Sequence, residues 1–337
     1  MDKKLIALAV AGALAATAAA HAETTLYGSA RAGVTYTDPD KGKSNWDVKN
    51  ESSRLGVKGS EDLGGGLKAI YTYEFGVNID GNSSGNPFNQ RLSYLGLTGG
   101  FGTVQLGRMW SAPYLFVGRL TDVFNSSSAL DTSIGWNRLS SLTNDNTGTS
   151  GGGDRVSDVL AYITPNFSGF QAAGAVVMNG NGQNSSTNRE DIDAYDIAAG
   201  YTLGGFEVGA SYRDFKALDY TQWTAGAGYK FADFRVAATY SARDNGSDNV
   251  NGSEVDPSVW DVIGEYTFGN NVVRAGYSSY DHDTKADDTD VWKLGYQYNL
   301  SKRTRLWVEY ADQTNAGADK ATQYDTSWLS IGMRHDF

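Results

Sequence analysis

The stretch Tyr195-Asp196-Ile197-Ala198-Ala199-Gly200-Tyr201-Thr202-Leu203, followed by Gly204-Gly205 and Phe206-Glu207-Val208-Gly209-Ala210-Ser211-Tyr212-Arg213, decides the fold. Tyr195, Ile197, Ala199, Tyr201 and Leu203 alternate with Asp196, Ala198, Gly200 and Thr202. Beyond the two glycines, Phe206, Val208, Ala210 and Tyr212 alternate with Glu207, Gly209, Ser211 and Arg213. A period of two sends successive side chains to opposite faces. Each run is therefore a strand with one apolar face and one polar or small face. A glycine pair between two such runs marks a tight hairpin.

The pattern recurs along the chain. Phe234, Val236, Ala238 and Tyr240 alternate with Arg235, Ala237, Thr239 and Ser241. Trp292, Leu294, Tyr296, Tyr298 and Leu300 alternate with Lys293, Gly295, Gln297 and Asn299. Such runs begin near Thr24, Asp47, Leu67, Phe88, Thr103, Arg155, Phe170, Asp191, Phe206, Asp219, Phe234, Ser258, Val272, Thr289, Thr304 and Asp325, sixteen in all. Bacterial outer-membrane barrels have an even number of strands. The connections alternate too. Leu203-Gly204-Gly205, Ala232-Asp233 and Gly269-Asn270-Asn271 are tight, whereas 37–46, 111–154, 179–190, 244–257 and 312–324 are long and polar. The reading is all-β: a 16-stranded antiparallel transmembrane β-barrel with short periplasmic turns and long external loops.

The apolar parity faces outward on this reading. A water-filled lumen tolerates Glu207, Lys58, Arg213, Arg235 and Arg274, whereas a lipid face would charge ~2–4 kcal/mol for a mid-membrane Arg or Lys. Tyr, Trp and Phe at the ends of the apolar runs should form two interfacial girdles. The competing all-β reading is a soluble secreted sandwich, barrel or propeller. Against it, the positions opposite the apolar parity are often Gly or Ser, and no repeat suggests propeller blades.

Composition narrows the function classes. The 337 residues include 41 Gly, 20 Tyr, 8 Trp, 13 Phe and no Cys, and the net charge is −11. Without Cys there is no disulfide scaffold, thiolate metal site or cysteine nucleophile. The acidic balance excludes the basic face that a nucleic-acid binder needs. Residues 1–22 run from Lys3-Lys4 through an Ala-rich apolar stretch to Ala20-His21-Ala22. That order is a secretory signal peptide, so the barrel domain is expected over 23–337. No later stretch approaches the ~20 apolar residues of a helical span.

Ordered motifs then resemble the Gram-negative trimeric porin family. They are Thr25-Leu26-Tyr27-Gly28, Ser53-Arg54-Leu55-Gly56-Val57-Lys58-Gly59, Arg91-Leu92-Ser93-Tyr94-Leu95-Gly96-Leu97, Gly99 to Arg108, and Arg155 followed by Tyr162-Ile163-Thr164-Pro165. The chain also ends in Phe337, which the resemblance identifies as part of the signal read by the barrel-insertion machinery. The resemblance implies an outer-membrane homotrimer passing ions and small hydrophilic solutes by passive diffusion. It also implies that the third external loop, 111–154, folds into the lumen and narrows it. It implies a wall of arginines facing acidic residues on that loop. The basic side falls on Arg54, Arg91 and Arg155, with Arg31 two residues beyond the family's usual position. The loop reads Leu120-Thr121-Asp122-Val123-Phe124-Asn125 where many members carry Pro-Glu-Phe-Gly-Gly. Asp122 and Asp131 are the candidate acidic partners, with Asp145 and Asp154 behind them.

Charged rings in a narrow pore select ions, and low-dielectric walls focus their field. The acidic loops predict cation preference at the mouth and the arginine wall predicts anion attraction at the eyelet, with the total charge tilting the expectation toward cations. Two other readings share the architecture: a solute-selective channel, marked by a saturable site or an aromatic ladder, and a plugged structural or adhesive barrel, marked by lack of conductance. Nothing suggests an enzyme, a metal or a cofactor. His282 stands in a polar loop, the Asp clusters lack calcium-loop spacing, and glycines such as Gly226 and Gly228 lie within strands rather than before a helix.

Overall fold

The computed structural model describes residues 23–81, 86–126, 154–178, 192–216, 220–245, 256–281, 287–317 and 325–337. The strands are β1 (Glu23–Pro39), β2 (Asn45–Asn50), β3 (Arg54–Gly64), β4 (Leu67–Val77), β5 (Phe88–Gly99), β6 (Gly102–Trp110), β7 (Arg155–Ile163), β8 (Phe170–Met178) and β9 (Ile192–Leu203). They continue as β10 (Phe206–Phe215), β11 (Tyr220–Phe231), β12 (Phe234–Asn245), β13 (Ser258–Phe268), β14 (Asn271–Asp281), β15 (Asp287–Asn299), β16 (Thr304–Gly317) and β17 (Thr326–Asp336). Each pairs antiparallel with its sequence neighbours, except where β2 ends and β3 takes over beside β1. β1 then pairs with β17 from Ser29 opposite Asp336 to Pro39 opposite Thr326, which closes the sheet. Gly28 and Phe337 exchange backbone hydrogen bonds of 3.1 Å across this seam. Closure removes the exposed edges that would otherwise leave unpaired backbone groups in lipid.

Seventeen segments make sixteen staves. Both β2 and β3 pair with β1, Asn50 opposite Ala32 and Arg54 opposite Ser29. Three residues, Glu51 to Ser53, therefore oppose two, Ala30 and Arg31, and Ser52 takes a left-handed φ of 64°. This is a β-bulge, which kinks the strand and re-aims the side chains around it. The register shifts again on β5, where Glu74 faces Leu92 but Phe75 faces Gln90, leaving Arg91 as the extra residue. On β7, Gly107 faces Val159 and Met109 faces Val156, and Asp158 has φ 58°. On β9, Asp193 is the extra residue.

The outer face carries the apolar parity. Leu26, Leu95, Leu106, Ile197, Val236, Leu294 and Ile331 are all exposed in the single chain. Exposed large apolar residues on every stave suit a lipid surface rather than water. Two aromatic belts border them. Phe231, Phe234 and Tyr266 stack near the short turns at 5.5 and 4.4 Å. Trp223–Tyr240, Trp260–Tyr277 and Trp292–Tyr310 pair near the long-loop end at 5.0, 5.0 and 5.2 Å. The turns themselves use backbone conformations that glycine adopts freely: Gly204 and Gly269 have φ of 58° and 57°.

Candidate functional site

The loop after β6 turns inward at once. Ser111 caps the short helix α1 (Ala112–Phe116), its hydroxyl accepting from the Tyr114 amide, and Pro113 occupies the first turn. The Ser111 amide donates to the Asp154 carbonyl at 2.7 Å, which draws the two ends of the loop together. A 3-10 turn follows at Gly118–Leu120.

From there to Ser126 the chain lies against the inner wall. Its bed is built from the small residues of the polar parity. A Cβ on Gly200 would come within 2.9 Å of the Phe116 ring, one on Gly226 within 2.9 Å of Val117, and those on Gly276 and Gly295 within 3.1 and 3.2 Å of the Phe124 ring. Leu120 is fully buried against Ala237 and Ile263, while Phe124 also packs near Val291 and Ala311. Glycine and alanine on these staves leave room for a second layer of chain inside the barrel.

Polar anchors secure the same path. Arg235 donates to the Leu120 carbonyl at 2.6 Å and to Glu265 at 3.0 Å. Arg119 reaches Glu207 at 3.2 Å. At the far end the Glu309 carboxylate, 1% exposed, accepts from the Asn125 amide at 2.9 Å, the Ser126 amide at 2.8 Å and the Asn125 side-chain amide at 3.0 Å. Gln297 also accepts from the Asn125 side chain at 3.0 Å, and the Ser126 hydroxyl donates to Glu51 at 3.2 Å. Charge-assisted bonds to successive backbone N–H groups are among the stronger polar contacts available.

A basic cluster gathers on another part of the wall. Arg31 on β1 stands directly across from Arg334 on β17, and Arg334 directly across from Arg305 on β16. Arg54 and Arg91 are within electrostatic reach of Arg31, and Arg91 of Arg155. Among these arginines stand the carboxylates Glu74, Asp154 and Asp336. Glu74 takes Arg91 at 2.7 Å and Arg54 at 3.9 Å, and accepts from the Tyr27 hydroxyl at 3.1 Å. Asp336 takes Arg334 at 2.6 Å and Arg305 at 2.8 Å. Arg31 bonds the Ser29 hydroxyl at 3.0 Å. Arg108 donates to the Arg91 carbonyl at 3.1 Å and to Ser157 at 2.7 Å. Like charges this dense persist only where water or anions stabilise them.

The other expected residues fall as follows. Asp122 is exposed on the loop and accepts from the Tyr114 hydroxyl at 2.7 Å. Asp131 and Asp145 lie outside the described residues, as do 1–22 and His282. Lys58 is exposed, with its ammonium 5.2 Å from the Tyr27 ring centre. Arg213 is 2% exposed and forms a bidentate pair with Asp196 at 2.6 and 2.7 Å. Arg274 is buried between Glu265 and Gln297. Phe337 is exposed beside the closing seam. Arg305, Arg334, Glu74 and Glu309 are additional members that no sequence motif marks. All four stand in strands, and only their register shows what they meet.

A closed barrel with an apolar belt outside, charges inside and a chain segment laid along the inner wall defines the class: an outer-membrane channel. A profile of the Gram-negative porins matches residues 7–318. Outer membrane porin protein 32 of Delftia acidovorans is 31% identical over the whole of both chains. The solved anion-selective porin from Comamonas acidovorans is 26% identical, covers 94% of this chain and 100% of its own, and superposes with a TM-score of 0.78. OmpT of Vibrio cholerae, solved in a trimer form, shares the fold at 17% identity, 94% and 99% coverage and a TM-score of 0.67. The chain belongs to the Gram-negative porin family and is an outer-membrane passive-diffusion channel.

Proposed function

We propose that this porin passes small hydrophilic solutes with a preference for anions, set at the eyelet by Arg31, Arg54, Arg91, Arg155, Arg305 and Arg334 and opposed by Asp122 on the loop. The observation that carries the proposal is the row Arg31, Arg334 and Arg305 at one height on three adjacent strands. A narrow ring of one sign outweighs loop charges at the mouth, because exposed charges are screened within ~8 Å at physiological salt while fields between low-dielectric walls are focused. This reverses the cation preference expected from a net charge of −11. The relative from Comamonas, described as anion-selective, supports the same sign.

The test is the zero-current potential across a KCl gradient, for wild type and for Arg31→Gln/Arg334→Gln. Wild type should develop the chloride sign and the double variant a smaller potential. A potassium sign in wild type refutes the assignment. Residues 1–22 are proposed as a cleaved export signal, with Glu23 as the mature N-terminus, which sequencing of the membrane-inserted protein checks. The working unit is proposed as a homotrimer in outer-membrane lipid, delivered by the insertion machinery through the end bearing Phe337. Closure of each inserted unit in three equal steps supports the trimer, and full closure in a single step refutes it.

A further inference from the structure

A diffusion eyelet needs charge and an open path but no aromatic surface, yet this one carries a stacked aromatic pair. Trp110 ends β6 and Tyr114 begins the inward loop, so the two stand where the loop leaves the wall. Their ring centres are 4.4 Å apart and their planes 17° from parallel. Both side chains keep part of their surface open, whereas neighbouring Ala112 and Pro113 are buried. The pair is held at both ends. The Tyr114 hydroxyl donates to Asp122 at 2.7 Å. The Arg155 guanidinium carbon lies 4.9 Å from the Trp110 ring centre, and that of Arg91 lies 5.9 Å away. Arg91 engages Glu74 through Nε, and the Arg155 guanidinium lies over the Trp110 ring with Asp154 within electrostatic reach.

We propose that Trp110 and Tyr114, with Arg155 and Arg91, form a subsite for planar aromatic carboxylates of the benzoate class. A guanidinium offers a carboxylate two parallel N–H donors. The aromatic pair offers the attached ring a face or an edge to stack on, at the distances that such rings prefer. A saturated ring acid of the same charge and similar size meets the same guanidinium groups but gains no stacking. The subsite thus deepens the anion-preferring reading of the arginine wall and rests on it. It separates two solutes that charge and sieving alone treat alike.

The experiment records chloride current through single channels while sodium benzoate or sodium cyclohexanecarboxylate is added. Wild type should be interrupted by benzoate about fivefold longer than by cyclohexanecarboxylate, the discrimination expected of one aromatic contact. Tyr114→Leu should bring the ratio close to one, and Tyr114→Phe, which keeps the ring and loses the hydroxyl, should keep it. Equal interruption by the two acids in an anion-selective wild-type channel overturns the subsite and leaves the arginine wall standing. A potassium-selective channel that neither acid interrupts overturns both.

Discussion

Replacing Glu309 by Ala should release residues 125 and 126 from the inner wall while leaving the barrel intact. The side chain accepts from the Asn125 and Ser126 amides and from the Asn125 side chain, which keeps a second acceptor in Gln297. The variant therefore orphans two backbone N–H groups at a place where Ser126 is fully buried. At about 1–3 kcal/mol for each buried donor left unpaired, docking of this segment weakens by about 2–6 kcal/mol. The lower figure corresponds to a roughly 30-fold larger undocked population. Upstream the loop stays pinned by Arg235 on the Leu120 carbonyl and by Phe124 in its glycine bed. Loosening should therefore begin at Asn125. Amide exchange at 125 and 126 should accelerate by the same factor, and the open-channel current should become noisier. Glu309→Gln, which keeps one carbonyl acceptor, should fall between the two. Wild-type exchange and a quiet current in Glu309→Ala would refute the idea that this carboxylate fixes the loop.

Crowding the loop's bed should act from the opposite side. Gly295→Leu drives a side chain into the Phe124 ring, already 3.2 Å from where its Cβ would stand. The loop should be displaced, with altered unit conductance and normal membrane insertion; unchanged conductance would count against the seating described. Arg213→Met strands the buried Asp196 carboxylate and should cost about 3–5 kcal/mol, seen as a lower melting temperature of the folded barrel. Arg213→Met/Asp196→Leu should recover most of that loss, because an apolar pair of similar volume leaves no charge unpaired. Gly332→Leu collides with the Trp307 ring beneath the β16–β17 pairing and should reduce the yield of folded, heat-resistant barrel.

The staves were legible because lipid outside and water inside impose a period of two over ten or more residues. No expected strand start departs from the observed one by more than two residues. The reading blurs at the bulges, since an extra residue has no hydrophobic signature of its own. Tyr94 and Arg91 both contribute inward, although a regular strand would send residues three apart to opposite faces. Nothing in the sequence around Glu74 marks it out from other strand carboxylates. Its role depends on the register that brings Arg54 and Arg91 to it. Gly226 is legible as a strand glycine, yet its service as a bed for Val117 follows from a loop that reaches it only in three dimensions. The loop's acidic side is the least legible part. Asp122 could be named from its place in the loop, but the Tyr114 hydroxyl that orients it belongs to a helical turn with no strong periodic signal.

The most direct test of a water-filled eyelet between arginine wall and loop exploits the absence of native cysteine. Single cysteines replace Arg31, Arg334 and Asp122, with Ala32 as the lipid-facing control, and a water-soluble charged thiol reagent is applied during single-channel recording. Modification at positions 31, 334 and 122 should step the current down, and at position 32 leave it unchanged. Stepwise block at position 32, or none at the other three, would contradict the account.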